Sequence, residues 1–169
     1  MSARPKLPSV YSATVTHDNG RVERCYVCED RHRIETVSVG TRPVIFIRRS
    51  DLGVVWAIHP EERIYFESKI GDVDANTARL FPPLEIAWSE LRGVHIDRRL
   101  YRHFRGIGQT RHGRGEEHIY VDPQSGMFRR ERTRLRGIRS QIDYSNIDLS
   151  RPKDELFDFD KKGYKKGRT

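Results

Sequence analysis

Residues Pro43 to Ser68 read PVIFIRRSDLGVVWAIHPEERIYFES, and the rest of the chain is read against this stretch. It holds three short apolar runs, Val44–Ile47, Val54–Ile58 and Ile64–Phe66. Ser50-Asp51-Leu52-Gly53 and His59-Pro60-Glu61-Glu62-Arg63 separate them. Such runs are too short for helices and are rich in β-branched and aromatic residues. Asp and Gly favour turns, while Pro60 fixes its own φ and disfavours helix at His59. The stretch predicts a three-strand antiparallel meander.

The same punctuation continues on both sides. Val10–Thr16 is strand-like, and His17-Asp18-Asn19-Gly20 is a hairpin turn in which Asn-Gly supplies the two positive φ angles of type I′. Arg21–Glu29 and His32–Val39 follow as strands. Gly71–Pro83 breaks the rhythm, with Asp72 or Asp74 placed to cap a short helix over Ala75–Leu80. The next segment, LEIAWSEL, fits two periods: Leu84, Trp88 and Leu91 share a helical face, while Leu84, Ile86 and Trp88 alternate. It is assigned to a short helix or irregular cover. Strands resume over Val94–Asp97, Arg99–Ile107, Glu117–Val121, Met127–Arg136 and Arg139–Leu149. About ten strands and little helix make a β-rich α+β fold. Residues 1–9 are expected to be a loose lead-in, 10–159 a single domain, and 160–169 a basic, frayed tail.

Composition bounds the partners. A chain of 169 residues with 36% apolar and 33% charged residues supports one folded core with an extensive solvated surface. The net charge of +8 and pI near 9.8 fit nucleic acid, anionic lipid or an acidic partner equally. No apolar run reaches the length of a membrane span, roughly 20 residues. MSARPKLPS lacks the apolar region of a secretory signal.

Motifs for chemistry are sparse. Cys25 and Cys28 form C-x-x-C inside RVERCYVCED, but in a strand positions i and i+3 face opposite ways, and no second pair completes a zinc site. The seven histidines show no H-E-x-x-H spacing. His112 and His118 flank a Gly-rich tip beside Glu116 and Glu117 without a fourth ligand. No G-x-S-x-G, P-loop or dinucleotide turn is present. No catalytic residue, metal or cofactor is expected.

Two surfaces stand out. Both faces of the central strands are apolar, unlike a sheet with one wet side. One reading is a ligand-lined concavity, with Val44, Phe46, Trp56, Ile58, Ile64 and Phe66 as its apolar lining. The other is a two-sided core, covered by helices on one side and the C-terminal segment on the other. The second surface is Arg130, Arg132, Arg134 and Arg136 on one strand face with Phe128 at its head. Like charges there repel and require acidic neighbours, solvent or a bound polyanion. It reads either as a basic docking surface or as a solvated face with ion pairs to Glu116, Glu117, Glu131 and Asp143.

Four stretches carry a family resemblance: CYVCEDRHRIE (Cys25–Glu35), VVWAIHPEERIYFE (Val54–Glu67), EEHIYVDPQSGMFRRER (Glu116–Arg132) and ELFDFDKKGYKK (Glu155–Lys166). In this order they resemble the outer-membrane lipoprotein carrier and sorting proteins with the LolA-like fold, as a periplasmic relative of them. Asp160 stands where that family often has proline, and the arginine density after Arg98 is unusual for it. The resemblance implies a strongly curved antiparallel sheet, an open half-barrel with short helical cover and an apolar cavity. It implies a non-enzymatic envelope protein binding a lipid, an acylated protein or another apolar ligand. A periplasmic location follows from the same likeness, with a signal peptide or lipobox expected in the precursor. The basic surface would then meet an anionic membrane or an envelope protein. The alternative is an interaction or sensor module of the same fold without lipid cargo. Nucleic-acid binding rests on charge alone and is not expected.

Overall fold

The computed structural model describes residues 3–38, 40–80, 86–110, 113–135 and 137–168, setting aside the side chains of 76–80 and 110. Residue contacts divide the chain into two compact units. A meander unit comprises Ser9–Val15, Gly20–Pro82 and Asn146–Thr169; an arginine-rich unit comprises Met1–Pro8, Thr16–Asn19 and Pro83–Ser145.

The first six strands are β1 (Val10–His17), β2 (Val22–Cys28), β3 (Arg31–Thr36), β4 (Ile45–Arg49), β5 (Val54–His59) and β6 (Ile64–Lys69). Helix α1 (Ile70–Leu80) follows, then β7 (Ile86–Ile96), β8 (Arg99–Thr110), β9 (Gly113–Val121), β10 (Phe128–Leu135) and β11 (Ile138–Asp148). A 3-10 turn at Asp154–Phe157 and a two-residue strand β12 (Lys165–Lys166) close the chain. Hydrogen bonds link the strands in the order β12-β6-β5-β4-β3-β2-β1-β11-β10-β9-β8-β7, so the ladder of twelve strands does not close on itself. The registers along β2–β6 and β7–β11 are antiparallel, whereas β12 joins β6 in parallel.

The central meander forms as its turns dictate. Gly53 takes φ 67° behind a turn in which the Gly53 N–H donates to the Ser50 carbonyl at 3.2 Å. In the β1–β2 turn, only Gly20 of the Asn-Gly pair has positive φ, at 84°. The connection is therefore not the expected type I′ turn, which needs positive φ at both residues.

Three other expectations are corrected. The helix starts at Ile70, ahead of both proposed capping aspartates, with Asp72 inside its first turn. The expected helical cover around Trp88 is instead strand β7, which also absorbs the separate strand expected at Val94. Leu84 and Glu85 lie outside the described residues. Of the two periods present in LEIAWSEL, alternation prevails because β8 offers a partner to each described residue of the segment, from Ile86 opposite Gly108 to Leu91 opposite His103.

The terminal segments are also more engaged than expected. Arg4 donates to Glu117 at 2.8 Å and Glu131 at 3.2 Å, with its guanidinium 5.8 Å from the centroid of the Trp88 ring. At the other end, the Lys165 N–H donates to the Arg63 carbonyl at 2.8 Å, and Gly167 donates to Tyr65 at 2.8 Å. A side chain on Gly167 would collide with the Phe66 ring, 2.3 Å from its Cβ position, so the tail's close approach requires glycine.

The meander unit has a core of Ile47, Trp56, Ile58 and Tyr65, with Ile45, Val54, Phe159 and Tyr164 against it. Phe159 sits 6.0 Å from Trp56 and 5.3 Å edge-on to Tyr65, and Tyr164 lies 5.1 Å edge-on to Phe159. The C-terminal segment is thus a layer of this core. Replacing Trp56 by Ala removes a buried indole from it. The cost should be about 3–5 kcal/mol, measured as a shift in the urea unfolding midpoint.

Candidate functional site

Cross-strand register decides which apolar residues share a face. Ile47 pairs with Trp56, and Ile58 pairs with both Ile45 and Tyr65. Trp56 and Ile58 therefore belong to the face that Phe159 and Tyr164 fill. Phe46 pairs with Ala57, and Ala57 with Phe66. Strand alternation adds Val44 and Ile64 to this second face. The six residues expected to line one cavity are thus divided. Trp56 and Ile58 are core residues, while Val44, Phe46, Ile64 and Phe66 lie on the opposite side. A strand pattern read one strand at a time cannot show this, because the offset between neighbours is set by the turns.

The second face is continuous. Cys25, Ile34, Phe46, Ala57 and Phe66 are successive partners across β2–β6, an apolar row five strands wide. Helix α1 is tied to this side, because Arg48, on the Phe46 face, donates both terminal nitrogens to Asp74 at 2.8 and 3.0 Å. Phe46 nevertheless remains 46% exposed. Cys28 is on the opposite face from Cys25 by alternation, and both are free thiols. Burial, with Glu23 adding to it, pushes the Cys25 thiol up to about 12 and makes it a poor nucleophile.

On the filled face one carboxylate organises the cover. Glu67 accepts from Trp56 Nε1 at 2.8 Å, Lys161 Nζ at 2.6 Å and Lys166 Nζ at 2.9 Å. The Lys161 ammonium is 5.4 Å from the Trp56 ring centroid and 5.6 Å from that of Tyr65. The hydrogen bonds from Lys161, Trp56 and Lys166 hold the Glu67 carboxyl down at about 2.

The arginine-rich unit also has two distinct faces. One carries Trp88, Phe104, Ile119 and Tyr144, all buried, with Arg4 above Trp88. Burial pushes the Glu131 carboxyl up on this face, although the Tyr144 hydroxyl donates to it and Arg4 lies beside it. Ile86, Gly108, Gly115 and Leu135 are successive partners across β7–β10. The two glycines leave bare backbone between the aliphatic side chains, forming an apolar trough of about 100 Å³. Gly106 at its side has no room for a Cβ, which would stand 2.7 Å from the Trp88 ring.

The other face carries the arginines. Arg130 donates to Asp143 at 2.6 Å, and Arg132 donates to the Gln141 side chain at 2.8 Å while lying 5.9 Å from the Tyr120 ring centroid. Arg134 faces Glu116 on one side and Arg139 on the other. Arg136 lies outside the described residues, as does His112. Phe128 is not at the head of this row. A register irregularity between Phe128 and Arg130 turns it to the other side, where it is buried and meets Tyr144 edge-on at 6.1 Å.

Residues distant in sequence complete the arginine face. His103 and His118 share a hydrogen bond of 2.7 Å between Nε2 and Nδ1, and His103 stacks on Tyr120 at 4.7 Å. Burial first, then His118 and Arg105, push the His103 pKa below its usual value. Glu116 accepts from Arg105 at 2.5 Å and contacts His118 at 3.1 Å. Between them lies a basin of about 550 Å³ lined by Asp18, Tyr120, Arg132, Arg134, Arg139 and Gln141, among others. Sequence reasoning missed Arg139 and Asp18. The signal for Arg139 was the Gly137 turn, which folds β11 back on β10. No cluster of three or more potential metal ligands occurs among the described residues.

No family model matches the sequence, and no curated protein matches it. Among solved structures, the lipoprotein LppX of Mycobacterium tuberculosis is similar, with a TM-score of 0.53 and 9% identity over 84% of this chain and 90% of that one. At this identity the likeness is one of fold, and it supports a LolA-like architecture built on a large unclosed sheet.

The Glu67 carboxylate is open to a direct pH test. Its pKa falls on folding, so its contribution is fully present above the ordinary 4.5 and is lost as pH falls through about 2. Tryptophan emission should shift across that acid window as the Trp56–Glu67 bond breaks. Glu67→Gln should remove the transition.

Proposed function

We propose that this chain is a non-enzymatic protein of the bacterial envelope that binds a lipid, an acylated protein or another apolar ligand. The observation that carries the reading is the apolar row Cys25–Ile34–Phe46–Ala57–Phe66, with Phe46 nearly half exposed. An antiparallel sheet with one filled face ordinarily presents polar residues on the other. Here the second face is apolar and carries an exposed aromatic at its middle, the surface chemistry of a ligand-binding or partner-binding sheet. The fold likeness to a mycobacterial lipoprotein supports the envelope setting. No helix among the described residues is long and apolar enough to cross a membrane.

Binding on such a face comes from removing methylenes from water, worth about 0.8 kcal/mol for each one fully buried. Val44, Ile64 and Phe66 flank Phe46 and extend the apolar surface along the strands. Trp56 and Ile58 contribute indirectly, by anchoring the sheet to its C-terminal layer.

Native mass spectrometry of the purified chain, followed by organic extraction, tests the proposal. A co-purifying acyl species should be present in the wild type and absent from Phe46→Glu, with the variant still folded by circular dichroism. Trp56→Glu should instead unfold the meander unit. The reading fails if no species co-purifies and a fluorescent fatty acid shows no saturable binding. An interaction module of the same fold would then take its place.

A further inference from the structure

The arginine face holds five guanidiniums on adjoining strands, and they are not equally engaged. Arg105 and Arg130 are each bonded to a carboxylate, and Arg132 is bonded to Gln141 and lies over Tyr120. Arg134 and Arg139 are direct cross-strand partners; Glu116 stands opposite Arg134 on its other side, but neither guanidinium makes a hydrogen bond or ion pair among the described residues. Like charges placed directly opposite each other in a sheet destabilise it.

The nearby carboxylates each accept a hydrogen bond from another group, although Asp18, which lines the same basin, has no cationic partner among the described residues. Glu116 serves Arg105 and His118, Asp143 serves Arg130 and the Gln141 amide, and Asp18 accepts from the Gln141 backbone N–H at 2.9 Å. Arg134 and Arg139 thus open onto the basin with their donors unused. Arg134 also borders an adjoining hollow of about 400 Å³ with Arg114, which likewise has no acidic partner among the described residues.

We propose that Arg134 and Arg139 form a phosphate-binding site, with Arg132 and Arg114 flanking it. Two adjacent guanidiniums match a phosphate dianion in charge, and their planar forks offer paired N–H donors to its oxygens. A single carboxylate would neutralise only one of them. The bound anion adds a counter-charge bonded directly to both guanidiniums, which Glu116, bonded to Arg105, does not supply, and offsets the cross-strand repulsion. The phosphate belongs either to a soluble phosphate compound or to the headgroup of a lipid, and both present the same oxygens. The site belongs to the arginine-rich unit and shares no residue with the Phe46 row of the meander unit, so Phe46→Glu removes none of its groups.

The test compares the wild type with Arg134→Gln/Arg139→Gln and with Arg92→Gln/Lys153→Gln, which loses the same charge elsewhere. One arm is calorimetry with inorganic pyrophosphate. The other is co-sedimentation with vesicles of phosphatidylcholine, alone or doped with phosphatidic acid. Saturable binding is expected in at least one arm, weakened at least about tenfold in the Arg134/Arg139 variant. The charge-matched control should stay within about twofold of wild type. Binding of pyrophosphate assigns a soluble compound, and binding of doped vesicles alone assigns a headgroup. Absence of binding in both arms, or equal weakening in both variants, overturns the site.

Thermal unfolding at low ionic strength supplies an independent readout. The Arg134/Arg139 variant should melt above the wild type without ligand, because the repulsion is gone. In the arm where binding occurs, that ligand should stabilise only the wild type and the charge-matched control. A variant that melts below the wild type would show that the two arginines hold the strands together, and would overturn the proposal.

Discussion

The carboxylate of Glu67 is the contact on which the meander unit depends. Its oxygens receive the Trp56 indole from the neighbouring strand and the ammonium groups of Lys161 and Lys166 from the C-terminal segment. These bonds hold the chain's end where Phe159 and Tyr164 reach Trp56 and Tyr65. A sheet has two faces to bury, and short strands alone provide only half a core. Here the tail supplies the missing layer on one face, which leaves the Phe46 face to be covered by α1 or by something else.

Charge in the arginine-rich unit follows a similar division. Of the acidic residues on the Trp88 face, Glu117 and Glu131 are taken by Arg4 from the N-terminal segment and Glu90 by Arg102. Those on the opposite face are taken by Arg105 and Arg130. With 32 basic and 24 acidic residues in the chain, some cations lack partners, and the net charge of +8 says only that. The register says where. It puts Arg134 against Arg139, and a surplus spread through the sequence becomes a local pair of guanidiniums.

The strands were legible because their signals are local. Val54–Ile58 and Ile64–Phe66 are bounded by residues whose own backbone preferences end them. The cavity lining was not legible, because Phe46 and Trp56 belong to the same face only if their strands are offset by one residue from the register that forms. Phe128 was misplaced for a related reason: one irregular position before Arg130 reverses the alternation on which its assignment rested. The segment containing Trp88 carried both helical and strand periods, and pairing with β8 decided between them. The engagement of the tail was hidden in a run of lysines that reads as solvated, since nothing nearby in sequence indicates that Glu67 will stand beside Lys161 and Lys166. The LolA-like resemblance agrees with the structure only as a fold, a large unclosed sheet with one short helix, and the strand number differs.

Local rules are broken at two places, and physically the two breaches are of one kind. Phe46 leaves an aromatic surface in water on the middle of a sheet, and Arg134 beside Arg139 leaves two like charges with no ion pair among the described residues. Each costs stability that a polar residue at 46 or an acid at 139 would restore. The fold tolerates both because its stability rests elsewhere, in the Trp56–Phe159 layer and in the Arg4-covered Trp88 face. Residues that work against the fold are better candidates for ligand contact than residues that hold it together. By that criterion Trp56, the most conspicuous aromatic of the meander, is structural, and the exposed Phe46 one strand away is the group that a ligand would cover.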